Sequence, residues 1–208
     1  MTDFARLMSD YFVKYLAGQK GSGSNTMKTY RDTFVQLLEF MDEKKHIRAD
    51  CIEVDSFSYD IINEFLEYLE KEKRVSISTR NNRLAAIRSF FKYTGYHEPK
   101  YLNISTSIRE ISKKKTEGRQ MNYLSVNAME HFLNSFDKTD HKELRCFCIV
   151  LLLYESGARV TELCNVRRYD LHLEKPYTMI LHGKGDKIRS VPLDGLVAVS
   201  YTHLTLPT

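Results

Sequence analysis

Apolar side chains recur at helical spacing throughout residues 1–97, and this periodicity constrains the fold more than any other feature of the chain. The repeat runs through separate stripes: Phe4, Leu7, Met8, Tyr11, Phe12, Tyr15 and Leu16; Met27, Tyr30, Phe34, Leu37, Leu38 and Met41; Ile61, Phe65, Leu66 and Leu69; and Leu84, Ile87 and Phe91. We expect the third helix to begin near Ser58 and the fourth to run from Ser78 to Thr94, with Gly95 ending it. Short helices are stable only when their apolar faces pack together, so the sequence predicts a compact four-helix bundle.

The composition changes after this bundle. Residues 98–120 combine Pro, Gly and the lysine run Lys113–Lys115 with little periodic apolar content, which indicates a basic linker. Helical periodicity returns at Ser125, which we expect to cap a helix. The run Leu144–Tyr154 is apolar nearly all round and predicts a buried central helix.

After this helix the spacing of apolar residues changes from the helical repeat to the alternation typical of a β-strand. Thr178–Leu181 and Ile188–Leu193 predict two strands, joined by a hairpin turn of sequence Gly-Lys-Gly-Asp. The predicted fold is therefore mainly α with a small antiparallel β element, in two domains over residues 1–97 and 121–195. Residues 196–208 contain no acid, lysine or arginine, and we predict neither helix nor strand there.

Composition excludes some classes of protein. The net charge of +4 arises from 31 basic and 27 acidic residues, so it permits nucleic acid as a partner without requiring it. No signal peptide is recognisable, and the longest apolar run is far short of the roughly 20 residues of a membrane helix, so we expect a cytoplasmic protein. Cys51, Cys146, Cys148 and Cys164 have no metal-ligand spacing, which favours buried free thiols and no metal site.

Uncompensated positive charge lies on the fourth predicted helix. The segment RNNRLAAIRSFFK, residues 80–92, carries four bases and no acid, and its first turns are where a helix favours phosphate. A solvated basic face explains the same pattern equally well, and the lysine run is a weaker signal because such linkers are common. The candidate DNA-binding residues are Arg80, Asn82, Arg83, Arg88, Lys113, Lys114 and Lys115.

Two further positions are candidates for chemistry. Arg159 stands between two predicted helices with Glu162 three residues on, so its guanidinium could bind two phosphate oxygens while Glu162 orients it. On spacing alone, an ordinary ion pair at a helix start is the simpler explanation. Lys184 at the hairpin tip could reach a phosphate or a leaving oxygen, although such lysines are most often only solvated. We assign no role to the neighbouring His182.

Longer strings of residues resemble the sequence motifs of a known protein family. ESGARVTEL, then DLHL, then HGKGDKIRSVPL resemble the first half of the catalytic domain of tyrosine recombinases, also called phage integrases, and STRNNRLAAIRSFFKY resembles the last large helix of the family's core-binding domain. The resemblance implies a SAM-like four-helix core-binding domain over 1–97 and the first, α+β, half of the catalytic domain over 121–195. It also implies that Arg159 is a catalytic arginine, Lys184 a general acid and Glu162 a supporting residue.

The activity implied by the resemblance is site-specific DNA recombination or integration. A tyrosine hydroxyl attacks the phosphate of double-stranded DNA, forms a 3′-phosphotyrosine and releases a 5′ hydroxyl, without metal or cofactor. Family members act as homo-oligomers on DNA, in a tetrameric synapse.

The resemblance also implies residues that this sequence lacks, namely a His-x-x-Arg motif and a later nucleophilic tyrosine. Tyr201-Thr-His203 follows the hairpin too closely to be that nucleophile, and the string VSYTHLTLPT, residues 199–208, resembles translated adapter sequence, so we predict that residues 196–208 are a non-native tail. We therefore expect a fragment with a non-native tail that binds DNA weakly and cleaves none, which leaves its status as an enzyme uncertain. The alternatives are a non-catalytic DNA-binding regulator built on the recombinase fold and a helical protein–protein adaptor.

Overall fold

Two compact units, Met1–Arg119 and Gln120–Thr208, make up the computed structural model. The structure describes residues 1–116, 118, 122–183, 185 and 187–205, and residues 201–205 by their backbone alone. Within those residues, no helix is long and apolar enough to cross a membrane.

The regular secondary structure described in the first unit is helical. Its elements are α1 (Asp3–Asp10), which continues as a π-helical stretch (Tyr11–Gln19), α2 (Ser24–Lys45), 3₁₀ turns at Ala49–Cys51 and Val54–Ser56, α3 (Tyr59–Lys71), α4 (Ile77–His97), a 3₁₀ turn at Pro99–Tyr101 and α5 (Leu102–Glu110). The Ser58 side chain accepts a hydrogen bond from the Ile61 N–H and caps α3, as predicted. All four helices that the periodicity predicts are present, so that part of the prediction is confirmed.

An aromatic cluster occupies the centre of this unit. The Phe90 ring on α4 is fully buried and lies 5.2–5.6 Å, centroid to centroid, from the rings of Phe4, Tyr11, Phe34 and Phe91. Three of these neighbours come from α1, its π-helical continuation and α2, so a single side chain connects helices that are distant in sequence. Edge-to-face geometry of this kind is the favoured arrangement for aromatic pairs.

The predicted linker over 98–120 is partly wrong, because Leu102–Glu110 within it is helix α5. The charges of this segment obscure a short apolar face formed by Tyr101, Ile108 and Ile111, which are buried against the core of the first unit.

The prediction that Gly95 ends the fourth helix is also wrong. Gly95 lies inside α4, and a Cβ there would stand 2.6 Å from Ser105 Oγ, so the glycine allows α4 and α5 to approach closely.

The second unit combines helices with a small sheet. Its elements are α6 (Val126–Asn134), α7 (His141–Ser156), α8 (Val160–Cys164), a 3₁₀ turn at Arg168–Asp170, β1 (Leu171–His172), β2 (Thr178–His182), β3 (Ile188–Pro192) and α9 (Gly195–Thr205). The strands are antiparallel in the order β1-β2-β3, with Thr178 opposite Pro192 and His182 opposite Ile188. The predicted fold class and the predicted hairpin are confirmed.

Two predictions for this unit are wrong. Helix α7 is buried on one face only: Phe147 and Leu151 are buried, whereas Ile149 and Tyr154 are exposed. Residues 195–205 form helix α9, with Val197 in the core of the unit, although the segment has no amphipathic pattern that would predict a helix. Whether residues 196–208 are non-native stays a prediction.

The four cysteines are free thiols, as expected. The prediction that they are buried is correct only for Cys148, because Cys51, Cys146 and Cys164 are exposed.

Candidate functional site

The start of α8 brings Arg159 and Glu162 together. Arg159 is the residue before the helix, where its N–H donates to Glu162 Oε2 at 3.0 Å and its Nη1 donates to Glu162 Oε1 at 2.8 Å. Glu162 is buried, whereas the Arg159 side chain is 73% exposed. One edge of the guanidinium is therefore fixed by a buried carboxylate, and the rest of it faces solvent.

A second arginine reaches the same carboxylate from the sheet. Arg189 on β3 donates from Nη2 to Glu162 Oε2 at 2.8 Å and from Nη1 to Oε1 at 3.4 Å. The hydrogen bonds from Arg189, followed by those from the Arg159 backbone and side chain, lower the pKa of Glu162 to about 2. The Glu162 carboxylate therefore stays charged at every ordinary pH and holds both guanidinium groups.

Sequence reasoning missed Arg189. It lies in a β-strand among alternating residues, and no local spacing relates it to Glu162, which is 27 positions earlier. The signal that could have found it is the alternation of side chains along the strand, which places Arg189 on the inward face. In the structure Arg189 is half-buried between the exposed Ile188 and Ser190. A charged residue at an inward position of a strand needs a buried partner.

The base of the hairpin lies against this cluster. Gly183 donates its N–H to the Lys187 carbonyl at 2.7 Å, and a Cβ at Gly183 would stand 3.2 Å from Glu162 Oε1. The glycine thus lets the backbone of the hairpin approach the carboxylate closely. Lys184, the catalytic lysine implied by the resemblance, lies outside the described residues.

His182 and Asp170 form a contact beside the hairpin. Asp170 is buried, accepts from the Arg167 N–H at 2.8 Å and lies 3.4 Å from His182 Nε2. The hydrogen bond from the Arg167 backbone, followed by that from His182, lowers the pKa of Asp170. The pair fixes the end of β2 against the 3₁₀ turn, which is a structural role that the sequence did not suggest for His182.

The predicted DNA-binding residues of the first unit separate into two groups. Arg80 is buried and pairs with Glu70, Nε to Oε1 at 2.9 Å, so its charge already has a partner within the fold. Arg83 donates to the Thr29 carbonyl at 2.9 Å and so joins α4 to α2. Lys114 Nζ lies 2.8 Å from Glu70 Oε2. The fold uses these cations for its own structure.

The other predicted cations remain accessible. Asn82, Lys113 and Lys115 are exposed, and no described residue forms an ion pair with either lysine. Arg88 is half-buried and donates from Nη2 to the Arg109 carbonyl, so its backbone partner leaves its charge uncompensated.

Removal of the Glu162 charge gives a direct test of this arrangement. The pKa of Glu162 is about 2, below its ordinary value of 4.5, so its contribution to stability is fully present above pH 4.5 and is lost as the pH falls through 2. We expect Glu162→Gln to lower the melting temperature of the second unit at pH 7, and the difference from the parent to shrink between pH 4.5 and pH 2. Thermal melts across this pH range, with Glu130→Gln as an exposed control, measure the effect. A difference that stays constant down to pH 2 would show that the Glu162 charge does not hold the arginines.

Two arginines held by one buried glutamate beside a hairpin are thus the main polar cluster described in the second unit, and comparisons with known proteins identify the family. Residues 10–99 match the family model of the phage integrase N-terminal SAM-like domain, and residues 122–205 match the phage integrase family. The chain belongs to the phage integrase family of tyrosine recombinases, whose general activity is site-specific recombination. The match over 122–205 includes α9, and all of α9 except Gly195 belongs to the segment predicted to be non-native.

Similar proteins agree with this assignment, and a solved structure has a similar fold. Over 201 residues the chain is 29% identical to y4rD of Sinorhizobium fredii, named as an integrase/recombinase, covering 96% of this chain and 72% of the relative. It is 30% identical over 189 residues to tyrosine recombinase XerD of Listeria innocua, covering 88% of this chain and 59% of XerD. XerH recombinase bound to palindromic difH substrate has a similar fold, with a TM-score of 0.63 at 23% identity over 94% of this chain and 55% of that chain.

Proposed function

We propose that this chain provides a DNA-binding unit and the first phosphate-binding part of the catalytic site of a site-specific recombinase of the cytoplasm. The observation that supports this most directly is the exposed Arg159 guanidinium, fixed by the buried Glu162 that Arg189 also holds. A guanidinium presented in this way binds two oxygens of a phosphodiester through parallel N–H donors. The partner proposed is double-stranded DNA, on which the protein acts as a homo-oligomer, a tetramer in the synapse.

Arg159, Glu162 and Lys184 each have a definite part in the strand cleavage that we propose for the site-specific recombinase. A tyrosine hydroxyl releases its proton to water as its oxygen attacks the phosphorus, the bond from phosphorus to the 5′ oxygen breaks, and a 3′-phosphotyrosine forms. Arg159 stabilises the negative charge on the non-bridging oxygens, Glu162 holds Arg159 in position, and Lys184 donates a proton to the departing 5′ oxygen. Because the printed sequence contains no His-x-x-Arg motif, we propose that this chain binds DNA without cleaving it.

Duplex binding and cleavage can be measured on the chain as it stands. We expect a labelled duplex of arbitrary sequence to bind with an association constant whose logarithm falls linearly with the logarithm of the salt concentration. A nicked substrate that traps covalent intermediates should give no protein–DNA adduct. Arg159→Ala should weaken duplex binding about tenfold, as expected when one phosphate is no longer bound, while the exposed Arg168→Ala in the same unit should not.

Three results would contradict the proposal. A covalent adduct would show that the nucleophile is present in this chain. Binding that does not depend on salt would favour a protein–protein adaptor. Equal effects of Arg159→Ala and Arg168→Ala would remove the phosphate-binding role of Arg159.

A further inference from the structure

Two arginines share the carboxylate of Glu162, and they hold it in different ways. The guanidinium of Arg189 is forked across both oxygens, with Nη2 at 2.8 Å from Oε2 and Nη1 at 3.4 Å from Oε1. Arg159 reaches the carboxylate with a single side-chain nitrogen, Nη1, at 2.8 Å from Oε1, while its backbone N–H donates to Oε2. The forked position on Glu162 is therefore occupied by Arg189.

This division leaves part of the Arg159 guanidinium free. Among the described residues its Nε and Nη2 have no hydrogen-bond partner, and the side chain is 73% exposed. A fork of two neighbouring N–H donors matches two oxygens of a phosphate as well as it matches a carboxylate. The Nε–Nη2 edge of Arg159 is thus intact for a second acceptor, whereas pairing with Glu162 through both Nη1 and Nη2 would break up that fork.

Neutralisation of a buried acid does not explain why two arginines are present. Arg159, three residues from Glu162, supplies one counter-charge by itself. Arg189 adds a second guanidinium to the same carboxylate, so the ion pairs described in this cluster leave one positive charge over. The excess charge favours binding of an anion, and the second arginine needs a role other than charge balance.

Loss of Arg189 would change how Glu162 pairs with Arg159. A buried carboxylate that loses two hydrogen bonds is unfavourable unless other donors replace them. Arg159 is the other cation that pairs with Glu162 in the described part of the chain, so its free Nη2 is the donor in reach. The hydrogen bond from Arg189 is also the largest cause of the low pKa of Glu162.

The hairpin takes part in the same pairing. Arg189 lies on β3 opposite Leu181 of β2, and a Cβ at Gly183 would stand 3.2 Å from Glu162 Oε1 and 3.8 Å from Arg189 Nη1. The base of the hairpin is therefore packed on the oxygen that both Nη1 groups contact. A shift of β3 would move the fork of Arg189 and, through Glu162, the guanidinium of Arg159.

We infer that Arg189 is a positioning residue for phosphodiester binding: by occupying both oxygens of Glu162, it keeps the Nε–Nη2 edge of Arg159 open for the phosphate. The inference rests on the proposed function and deepens it, because it assigns a role to a residue that acts without touching the phosphate. In agreement with this, both Nη atoms of Arg189 are engaged by Glu162, and its side chain is 40% exposed against 73% for Arg159.

Three variants of the full chain test this role. Arg189→Met removes the donors and keeps an unbranched side chain, and Arg189→Lys keeps the charge but cannot fork across two oxygens. Arg168→Met, at an exposed arginine of the same unit, is the matched control. Modification of Arg159 by phenylglyoxal, quantified by mass spectrometry, measures how free its guanidinium is, and fluorescence anisotropy with a duplex of arbitrary sequence measures DNA affinity.

In Arg189→Met we expect Arg159 to close on Glu162 and to react with phenylglyoxal at least about threefold more slowly, the effect of one additional net hydrogen bond. Duplex affinity should fall toward that of Arg159→Ala. Arg189→Lys should lie between Arg189→Met and the parent in both measurements, and Arg168→Met should change neither. A purely structural role for Arg189 predicts the opposite sign, because a loosened site would make Arg159 react faster.

A double variant shows whether Arg189 acts through Arg159. If it does, Arg159→Ala combined with Arg189→Met should bind the duplex as Arg159→Ala does, within a factor of about two. If Arg189 itself bound a phosphate, the two losses of affinity would multiply, and the positioning role would be overturned.

The outcomes separate this inference from the proposed function. Circular dichroism melts establish which variants fold, and Arg189→Lys carries the test if Arg189→Met does not. Unchanged reactivity of Arg159, or unchanged duplex affinity, in a folded Arg189 variant overturns the inference, and the proposed function stands if Arg159→Ala still weakens binding. If Arg159→Ala binds the duplex as the parent does, the proposed role of Arg159 fails, and slower modification of Arg159 in Arg189→Met still supports control of its pairing by Arg189.

Discussion

Replacement of Phe90 with alanine is expected to lower the free energy of unfolding of the first unit by about 3–5 kcal/mol, the usual range for a large buried aromatic. The ring is fully buried and contacts the rings of Phe4, Tyr11, Phe34 and Phe91. The loss combines the transfer of the ring to water, a cavity that the surrounding helices cannot fill completely, and the aromatic pairs themselves. For a unit of this size the midpoint of thermal unfolding should fall by more than about 10 °C.

Thermal unfolding followed by circular dichroism measures this change, with limited proteolysis to assign the transition to the first unit. Tyr96 lies on the same helix and is 84% exposed, so Tyr96→Ala serves as the control and should change stability by less than about 0.5 kcal/mol. The second unit has a separate core, and its transition should not move. A decrease of less than about 1.5 kcal/mol for Phe90→Ala would mean that the cluster repacks, and that Phe90 does not connect the helices as the ring geometry indicates.

The helices of the first unit could be predicted because their burial follows a local repeat. Residues such as Leu84, Ile87 and Phe91 are spaced for one face of a helix, and that face is buried in the structure. Gly95 and helix α5 could not be predicted in the same way. Whether a glycine ends a helix or allows another helix to approach depends on a residue from a different segment, here Ser105. This information is absent from any short window of sequence.

The candidate site likewise combines residues whose pairing the sequence predicts with one residue that it does not. Arg159 and Glu162 are three residues apart at a helix start, so their pairing is local and was predicted. Arg189 reaches Glu162 only because β3 pairs with β2 in a particular register, which spacing does not reveal. A sequence shows where cations occur, but not which of them the fold neutralises. Arg80 and Arg88 lie on one helix and look alike in sequence, yet only Arg80 is paired with an acid among the described residues.

The buried ion pair between Arg80 and Glu70 gives the second large predicted effect, a loss of stability. Glu70→Ala is expected to lower the free energy of unfolding of the first unit by about 2–4 kcal/mol, because it leaves the guanidinium of Arg80 buried without its counter-charge. The Arg80 side chain is 7% exposed and its Nε lies 2.9 Å from Glu70 Oε1. Lys114 loses the same partner, but it is 51% exposed and water can solvate it, so its share is small. Chemical denaturation followed by circular dichroism measures the decrease.

The double variant Glu70→Ala with Arg80→Leu shows whether the cost comes from the buried charge. Replacing both partners removes the unpaired guanidinium and leaves an apolar side chain in a buried position, so at least about half of the missing stability should return. The same double variant should keep the salt slope of duplex binding, since a buried arginine contacts no phosphate. A slope that falls by about one would instead return Arg80 to the set of DNA-binding residues. Stability that stays as low as in the single variant would show that Glu70 acts through its other partner, Lys114, rather than through Arg80.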